Sequence, residues 1–481
     1  MKAVELSKAY DPKSFEDRIY QAWIEMGMFK PVAGQQTPFT VVMPPPNVTG
    51  ILHMGHALNN SLQDILTRYY RMTGRPTLWV PGTDHAGIAT QHVVERQLAK
   101  EGLRRQDLGR DRFLERTWQV KEKHHGIIKQ QLQKIGCSCD WEHERFTMDE
   151  GLSQAVRECF VTLYERGLIY KGEYLVNYCP KCGTALADDE VEYQPVNAFL
   201  YDVRYPFSDG SGFITVATTR PETMFGDVAV AVNPEDERYT HLVGKLLDLP
   251  LTDRKIPIIA DSFVDKSFGT GMVKITPAHD PNDWLCGKRH NLEKVNVLNP
   301  DGTLNENCPY KYRNINANKA RSLVVEDLKA QGFLVKETEH NHDVGHCYRC
   351  STIIEPYLSN QWFVSMKGMA DKALQAWKDE KIVFYPKRWE NTYSHWLENI
   401  HDWCISHQLW WGHRIPVWEC QECHEVIAAR QDPTECPKCH STKLVQETDV
   451  LDTWFSSWLW PFSTLGWPQK TSDLATYFPT T

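Results

Sequence analysis

The sequence predicts an α/β protein in which a doubly wound parallel sheet is interrupted by an inserted α+β or β-barrel-like domain. Strand and helix patterns alternate before and after the insertion, as in parallel sheets with crossover helices. The segment 196–343 instead carries mainly strand patterns. Four Cys-x-x-Cys pairs lie at the ends of the insertion and in the last part of the chain, and they predict two metal-binding modules.

The elements follow in order along the chain. An amphipathic pattern over 14–27 predicts a helical lead-in. An apolar strand at 39–43 precedes a helix from Gly55, and a strand at 77–80 precedes further helices up to about Gly167. The later predicted strands lie at 199–205, 212–219, 227–232, 255–260 and 271–276, and the later helices at 318–331, 366–379 and 388–399.

These elements group into five predicted regions. They are a lead-in (1–38), the first half of the parallel-sheet domain (39–178), a stem tied by metal (179–195 and 344–365), the insertion proper (196–343), and the second part of the sheet domain (366–481) with a zinc ribbon at 417–442.

The composition is that of a globular protein with large cores. Hydrophobic residues make up 41% of the 481 residues and charged residues 24%. Apolar runs are too short to span a bilayer, and the N-terminus lacks the apolar segment of a secretory signal. We therefore expect a cytoplasmic protein, without membrane association and monomeric. The net charge of −9 argues against indiscriminate nucleic-acid binding but permits a local basic face.

Eight of the 14 cysteines form the four pairs, at Cys179/Cys182, Cys347/Cys350, Cys420/Cys423 and Cys436/Cys439. Two such pairs can bind one Zn²⁺ through four thiolates, which leaves no position for a catalytic water. The last two pairs are 12 residues apart, as in a zinc ribbon, whereas 164 residues separate the first two. A shared ion there would tie together the base of the insertion. Redox or disulfide use is the alternative.

The segment 39–56 reads Phe-Thr-Val-Val-Met-Pro-Pro-Pro-Asn-Val-Thr-Gly-Ile-Leu-His-Met-Gly-His, a strand followed by a turn and a helix start. A helix N-terminus presents free N–H groups and a positive dipole, which suits a phosphate. His53 and His56 are three residues apart, so they share a face and can donate hydrogen bonds to phosphate oxygens. Two histidines at an ordinary helix start are the alternative.

In its context, the segment 44–56 resembles the ATP-binding signature of class I aminoacyl-tRNA synthetases, in the form of the valyl type. The resemblance covers nearly the whole chain. It implies a Rossmann-like catalytic domain split by an editing insertion, with valine, ATP bound with Mg²⁺, and tRNA(Val) as substrates. The other matching segments are 81–91, 218–227, 273–283, 402–416 and 449–457.

The resemblance also implies roles for residues of the synthetic site. His53 and His56 are the implied catalytic residues, because the valine carboxylate itself attacks the α-phosphate and only positioning and charge stabilisation are needed. Asp84 would bind the valine ammonium, although a helix N-cap is its alternative role. The other implied ATP residues are Pro46, Asn47, Val48, Thr49, Gly50 and Gly55. The implied valine pocket consists of Pro46, Asn47, Asp84 and Trp454, and Trp454 has a core position as its alternative.

An editing site is implied because an apolar pocket rejects an isostere that adds a hydroxyl only weakly, as is established for valyl-type synthetases and threonine. Asp280 is the implied catalytic residue there, and Asp280 or Asp283 would bind the ammonium. The alternative is that the residues of this set are ordinary polar residues at strand edges or in turns. The implied set comprises hydroxyls for the threonine side chain (Thr219, Thr223, Thr276), cations for the tRNA end (Arg220, Lys274), and Phe268, Asp280 and Asp283.

Two features depart from the family pattern. His401 and His407 stand where arginine is expected, which removes a permanent positive charge. The Lys-Met-Ser-Lys-Ser loop of the family is absent from the sequence, and the anticodon-binding domain would follow Thr481. The chain is therefore expected to be the N-terminal half of a longer synthetase, with severely reduced adenylation and retained editing.

Four other functions stay open. They are an isoleucyl-type synthetase, a stand-alone aminoacyl-tRNA deacylase, a zinc-ribbon RNA binder and a general nucleotidyltransferase. The sequence Pro-Pro-Pro-Asn-Val-Thr-Gly disfavours the isoleucyl type. An RNA binder leaves the histidine motif unused, and a nucleotidyltransferase leaves the editing motifs unused.

Overall fold

A computed structural model describes residues 9–481, so the first eight residues of the predicted lead-in lie outside the described part. The chain divides into two compact units. The first consists of the chain up to Ile169 together with Ser406–Thr481, and the second of Tyr170–Ile405. Over residues 9–481, every helix is too short or too polar to cross a membrane.

The N-terminal part of the first unit alternates strands and helices, as predicted. β1 pairs with β2, and β3 with β4, both in parallel. The predicted strands at 39–43 and 77–80 and the helix from Gly55 are confirmed. The elements are α1 (Glu16–Glu25), β1 (Phe39–Val42), α2 (Met54–Met72), β2 (Thr77–Val80), β3 (Gly82–Thr83), α3 (Gly87–Lys100), α4 (Arg105–Leu108), α5 (Arg110–Lys134), β4 (Arg145–Phe146) and α6 (Glu150–Glu165).

The strand β2 is buried on both faces, which explains its continuous apolar run. Successive side chains of a strand point to opposite faces. Trp79 accordingly packs with Met43 and Ile128, while Leu78 and Val80 pack with Leu465 from the C-terminal part of the same unit.

The second unit is an α+β arrangement of three separate sheets. Their strand orders are β10-β11-β9-β12, β13-β7-β8 and β15-β14-β5-β6. The five predicted strands and the predicted helices are present. The elements are β5 (Ile169–Cys179), β6 (Thr184–Leu186), β7 (Val191–Pro206), β8 (Phe213–Thr218), β9 (Ala229–Val232), β10 (Leu246–Asp248), β11 (Lys255–Ala260), β12 (Met272–Ile275), α7 (Pro281–His290), α8 (Ala317–Ala330), β13 (Leu334–Cys347), β14 (Glu355–Val364), α9 (Lys367–Lys378), α10 (Trp389–Glu398) and β15 (Trp403–Cys404).

The sequence did not predict β13, which pairs antiparallel with β7 along the ribbon from Leu334 to Cys347. Its side chains are mostly polar and exposed over the first half, so the apolar alternation that marks a half-buried strand is missing. The main core of the unit lies elsewhere, where Val203, Val216, Val230 and Val324 meet between the sheets and α8.

The C-terminal part returns to the first unit. A three-stranded antiparallel sheet, β18-β17-β19, occupies the predicted ribbon at 417–442 and continues to Gln446. The elements are β16 (Ser406–His407), β17 (Val417–Cys420), β18 (Val426–Ala428), β19 (Leu444–Gln446), β20 (Val450–Leu451), α11 (Thr453–Ser457), α12 (Trp460–Ser463) and α13 (Ser472–Tyr477).

Gly82 lies close to Trp460 of α12. Trp460 is held there because its Nε1 donates to the carbonyl oxygen of Met43 at 2.9 Å. A Cβ on Gly82 would lie 2.4 Å from Cη2 of Trp460 and 2.5 Å from the carbonyl oxygen of Arg145. Any side chain at this position would therefore displace both.

The substitution Gly82→Ala is expected to lower the free energy of unfolding by about 1–3 kcal/mol, the usual cost of overpacking. Gly126→Ala is the matched control, since Gly126 lies in α5 and a Cβ there would meet no atom within 4 Å. The control should leave stability unchanged or raise it by about 0.5–1 kcal/mol. Urea unfolding measures both, and equal midpoints for the two variants would contradict the prediction.

Candidate functional site

The loop after β1 and the loop after β2 are hydrogen-bonded to each other. The N–H of Val48 donates to the carbonyl oxygen of Asp84 at 3.0 Å, and the N–H of Asp84 donates to that of Pro46 at 2.9 Å. Asn47 and Asp84 thus form a parallel bridge. Both loops follow parallel strands, so they meet at the carboxyl edge of the sheet, where open α/β proteins bind ligands.

The carboxylate of Asp84 is buried in this loop pair, with 5% of the residue exposed. It accepts hydrogen bonds from the N–H of Ala86 at 2.7 Å and from Oγ of Ser457 at 2.9 Å. Burial raises the pKa of Asp84 to about 6. The N-cap of α3 is Ala86, without a side-chain cap. Asp84 therefore supports the turn into α3 but is not its N-cap.

The two histidines form a reciprocal cap at the start of α2. Nδ1 of His53 accepts from the N–H of Gly55 at 3.1 Å, and Nδ1 of His56 accepts from the N–H of His53 at 3.3 Å. Since each Nδ1 is an acceptor, each neutral ring carries its proton on Nε2, which can donate to a ligand. Burial, and then the neighbouring His53, lower the pKa of His56. A Cβ on Gly55 would lie 2.9 Å from Cε1 of His53, so a side chain there would displace the His53 ring.

Trp454 is 49% exposed, so the core position that was its alternative is not found. It lies on α11, the helix that also carries Ser457, and its N–H donates to the side chain of Asp452 at 2.8 Å. Asp452 in turn contacts Nε2 of His407 at 2.7 Å, and both side chains are buried. His407 thus has a structural contact inside the unit, whereas His401 is exposed.

The sequence missed a buried histidine pair beneath the loops. Nδ1 of His85 lies 2.7 Å from Oγ1 of Thr147, and Nε2 of His413 lies 2.8 Å from the carbonyl oxygen of Thr147. Burial lowers the pKa of both histidines to about 3, so both are neutral. Both lie within segments that match the family, 81–91 and 402–416, and this match was the sequence signal that could have identified them.

The second unit contains a cavity of about 340 Å³, and its lining includes all eight residues predicted for editing. They reach it from the turn after β8, the loop between β11 and β12, β12 with the residue after it, and the start of α7. The lining residues that the sequence did not single out include Thr218, His279, His340 and His342.

A buried ion pair organises one wall of this cavity. Nζ of Lys274 donates to Oδ1 of Asp227 at 3.1 Å and contacts the hydroxyls of Thr223 at 3.2 Å and Thr276 at 2.5 Å. Thr276 also donates to Asp227 at 2.6 Å, and Tyr205 donates to its second oxygen at 2.7 Å. Burial raises the pKa of Asp227, and Lys274 opposes this shift. The charge of Lys274 and the two hydroxyls are therefore engaged within the protein.

The two acidic residues at the start of α7 differ in their electrostatics. Oδ1 of Asp280 caps the helix by accepting from the N–H groups of Asn282 at 2.8 Å and Asp283 at 3.1 Å. Asp283 accepts from the N–H of Thr276 at 2.8 Å. Burial, and then the charge of Asp280, raise the pKa of Asp283 to about 8. Asp283 is therefore largely protonated at neutral pH and carries little charge.

Arg220 is also paired within the second unit. Its Nη1 donates to the carbonyl oxygen of His279 at 3.0 Å, its Nη2 binds the carboxylate of Glu355, and its Nε lies 3.5 Å from Glu222. Arg321 binds the same buried Glu222 through two hydrogen bonds of 2.8 and 2.7 Å. These ion pairs hold the cavity wall in position. Binding of the tRNA end by Arg220 stays a prediction.

The family model described as "tRNA synthetases class I (I, L, M and V)" matches residues 18–481. The chain belongs to this family. It is similar to the valine–tRNA ligase of Treponema denticola, with 60% identity over 100% of this chain and 54% of that protein. It is also similar to that of Carboxydothermus hydrogenoformans, with 59% identity over 99% of this chain and 54% of that protein.

This synthetase chain spans about half the length of the curated relatives that it matches. Among solved structures, it is similar to the LeuRS–tRNA–LeuAMS ternary complex of Agrobacterium radiobacter K84. The TM-score is 0.48, and the identity is 18% over 97% of this chain and 61% of that one.

The eight cysteines of this synthetase chain come together as two groups of four. In each group the Sγ atoms all lie within 4.8 Å of one another. The sulfur atoms of Cys179 and Cys350 are 3.5 Å apart, and those of Cys423 and Cys436 are 3.7 Å apart. Tetrahedral zinc with Zn–S bonds of about 2.3 Å requires sulfur separations of about 3.8 Å. The spacing therefore fits a four-thiolate site in both groups.

Proposed function

We propose that the first unit activates valine as part of a valine–tRNA ligase. A carboxylate oxygen of valine attacks the α-phosphorus of ATP, the bond to the bridging oxygen breaks, and valyl-adenylate and pyrophosphate form. The valyl group then passes to the terminal adenosine of tRNA(Val). The observation that carries this proposal is the loop pairing, which places the buried Asp84 carboxylate beside the segment that leads into the histidine cap of α2. The identity to valine–tRNA ligases supports the choice of amino acid.

In this proposal the residues of the first unit act by position and charge. Asp84 binds the valine ammonium, and Pro46, Asn47 and Trp454 flank the side chain. The ATP phosphates, neutralised in part by Mg²⁺, accept from Nε2–H of His53 and His56 and lie at the positive end of α2. Gly50 and Gly55 carry no side chain and therefore allow the backbone to approach the phosphates. These donors stabilise the charge that develops as pyrophosphate leaves.

Valine should lead the chain's amino-acid-dependent ATP–pyrophosphate exchange when valine, threonine and isoleucine are compared. Asp84→Asn is expected to raise the KM for valine about 10–100-fold, since hydrogen bonds to charged groups contribute about 1.5–3 kcal/mol. Asp111→Asn, an exposed change at the start of α5, is the matched control.

The pH dependence gives the same experiment a second readout. Because the pKa of Asp84 is about 6, its carboxylate is lost as the pH falls through 6. The KM for valine should then rise in the unmodified chain but stay flat in Asp84→Asn. Exchange led by isoleucine would favour the isoleucyl-type alternative, and an unchanged KM in Asp84→Asn would contradict the role of Asp84.

A second activity, hydrolysis of threonyl-tRNA(Val), is favoured by the cavity, whose lining residues all belong to the second unit. Water attacks the ester carbonyl, the bond to the ribose oxygen breaks, and that oxygen takes a proton. Asp280 is the carboxylate for the ammonium, because Asp283 is largely protonated at neutral pH. Thr219 is the hydroxyl best placed to recognise threonine, since Thr223 and Thr276 are engaged with Lys274.

The chain is expected to hydrolyse threonyl-tRNA(Val) without ATP, and Asp280→Asn should slow this at least 10-fold. Asparagine caps a helix about as well as aspartate, so the variant keeps α7 and loses only the charge. Asp253→Asn, an exposed change in the same unit, is the control. Deacylation rates on preformed threonyl-tRNA test this. Equal rates in Asp280→Asn and the unmodified chain would refute the role of Asp280.

The proposal includes two structural Zn²⁺ ions, one in each cysteine group. Metal analysis of the purified chain should give two zinc ions per molecule. Cys179→Ser and Cys420→Ser should each reduce this number to about one. Cys159→Ser is the control, because Cys159 is a half-buried cysteine outside both groups and should leave two ions bound. Clearly fewer than two ions in the unmodified chain would exclude the two-site proposal.

A further inference from the structure

The parallel pairing of β3 and β4 brings Thr147 to the loop that carries Asp84 and His85. Thr147 directly follows β4, and its N–H donates to the carbonyl oxygen of Thr83, the last residue of β3, at 3.2 Å. Parallel strands end at the same edge of a sheet, so the residues that follow these two strands are neighbours. Thr147, Asp84 and His85 are all buried. Their hydrogen bonds therefore form where the local dielectric is low and each bond is strong.

The hydroxyl of Thr147 is a shared hydrogen-bonding partner for two groups of His85. Its Oγ1 accepts from the N–H of His85 at 2.8 Å and lies 2.7 Å from Nδ1 of the same residue. That Nδ1 also lies 3.4 Å from Oδ1 of Asp84. A hydroxyl has one proton to donate and two lone pairs. The direction of the Thr147 proton therefore depends on which ring nitrogen of His85 is protonated.

The Asp84 carboxylate selects the tautomer of His85. Burial lowers the pKa of His85 to about 3, so the ring is neutral and carries one proton. With that proton on Nε2, the lone pair of Nδ1 would face a carboxylate oxygen and the two would repel. Nε2 is buried without a hydrogen-bond partner among residues 9–481, and unpaired buried N–H groups are rarer than unpaired acceptors. The proton therefore belongs on Nδ1, which donates to Thr147 and leaves the hydroxyl proton free for Asp84.

His413 holds the backbone of Thr147 in place. Its Nε2 donates to the carbonyl oxygen of Thr147 at 2.8 Å, and its ring stands edge-on to that of His85, with centroids 5.2 Å apart and planes at 84°. Burial lowers the pKa of His413 to about 3, so it is a neutral donor. Trp411 donates from Nε1 to the carbonyl oxygen of His85 at 2.8 Å. The segment 411–413 thus holds both Thr147 and His85.

The groups around Asp84 favour opposite protonation states. Burial raises the pKa of Asp84 to about 6, and the charge of Asp452 adds to this rise, whereas hydrogen bonds from Ala86, Ser457 and Thr147 oppose it. The two neutral histidines of the preceding paragraphs add no charge. Hydrogen bonding to the charged form favours that form. The three donors therefore keep the carboxylate ionised at neutral pH.

We propose that Thr147 and His85 are positioning residues that keep the Asp84 carboxylate ionised and oriented for the ammonium group of the amino-acid substrate. The Thr147 hydroxyl donates to the carboxylate, and Nδ1–H of His85 directs that hydroxyl by donating to its oxygen. Both side chains are buried, so they act through Asp84. This inference rests on the proposed activation of valine, in which Asp84 binds the ammonium.

The carboxyl ¹³C resonance of Asp84 reports its ionisation in the absence of any substrate. The resonance is assigned by its loss in Asp84→Asn, and its midpoint should lie near pH 6 in the unmodified chain. Thr147→Val removes a donor to the charged form and should raise the midpoint to about pH 7, whereas Thr147→Ser keeps the hydroxyl and the midpoint near 6. Thr117→Val is the matched control. Thr117 is a buried threonine of α5 whose hydroxyl donates to the carbonyl oxygen of Phe113 at 2.8 Å.

Valine-dependent ATP–pyrophosphate exchange supplies the second readout. A carboxyl group with a pKa of about 7 is only about one-quarter ionised at pH 6.5 but almost fully ionised at pH 8. Thr147→Val should therefore raise the KM for valine about threefold at pH 6.5, change it little at pH 8, and leave kcat nearly unchanged. A purely structural role would instead lower the rate at every pH without moving the midpoint.

Substitutions of His85 carry the same test if Thr147→Val does not fold. His85→Leu removes the Nδ1 donor and should raise the midpoint of Asp84. His85→Asn should restore the midpoint, because the asparagine amide places an N–H close to the position of Nδ1.

A midpoint that stays near pH 6 in both Thr147→Val and His85→Leu would overturn the proposal, even if these variants are less active. An equal rise in Thr147→Ser would overturn it as well, since the hydroxyl would then not be the cause. Absence of exchange in the unmodified chain would count against valine activation, whereas a raised midpoint in Thr147→Val would still support the control of Asp84 by Thr147.

Discussion

The site in the first unit depends on the parallel pairing of β1 and β2. Parallel strands end at the same edge of a sheet, so the two loops that follow them must share that edge. The hydrogen bonds between Val48, Asp84 and Pro46 continue the pairing beyond the strands. They hold the buried Asp84 carboxylate beside the segment that leads into α2. A one-residue shift in the register of β2 would turn Trp79 and its neighbours to the wrong faces and displace Asp84 with them.

The pairing of buried charged groups is a second constraint on the structure. Buried charges are costly unless they are paired. Lys274 meets Asp227, Arg220 meets Glu355, and Arg321 meets Glu222, each pair within the second unit. Burial instead raises the pKa of Asp84 to about 6 and, together with the charge of Asp280, that of Asp283 to about 8. Both carboxyl groups lie in candidate sites, and shifted pKa values are common among functional residues.

Much of the site could be predicted from short segments of sequence. The histidines at 53 and 56, the residues 46–50 and Asp84 lie in two motifs that each follow a strand, and the eight predicted editing residues all line one cavity. Residues whose importance depends on distant partners were missed. His85 and His413 are 328 positions apart and share Thr147, and His340 and His342 lie on a polar strand without an apolar pattern.

The sequence by itself determined the family, most of the strands and helices, and the cysteine pairs, because these depend on local periodicity and on motifs. The tertiary structure alone decided which of those residues are available to a ligand. Arg220 and Lys274 have internal partners, His407 is buried against Asp452, and Trp454 is half-exposed. The physical reason is that burial and pairing are set by neighbours from remote parts of the chain, which local sequence does not specify.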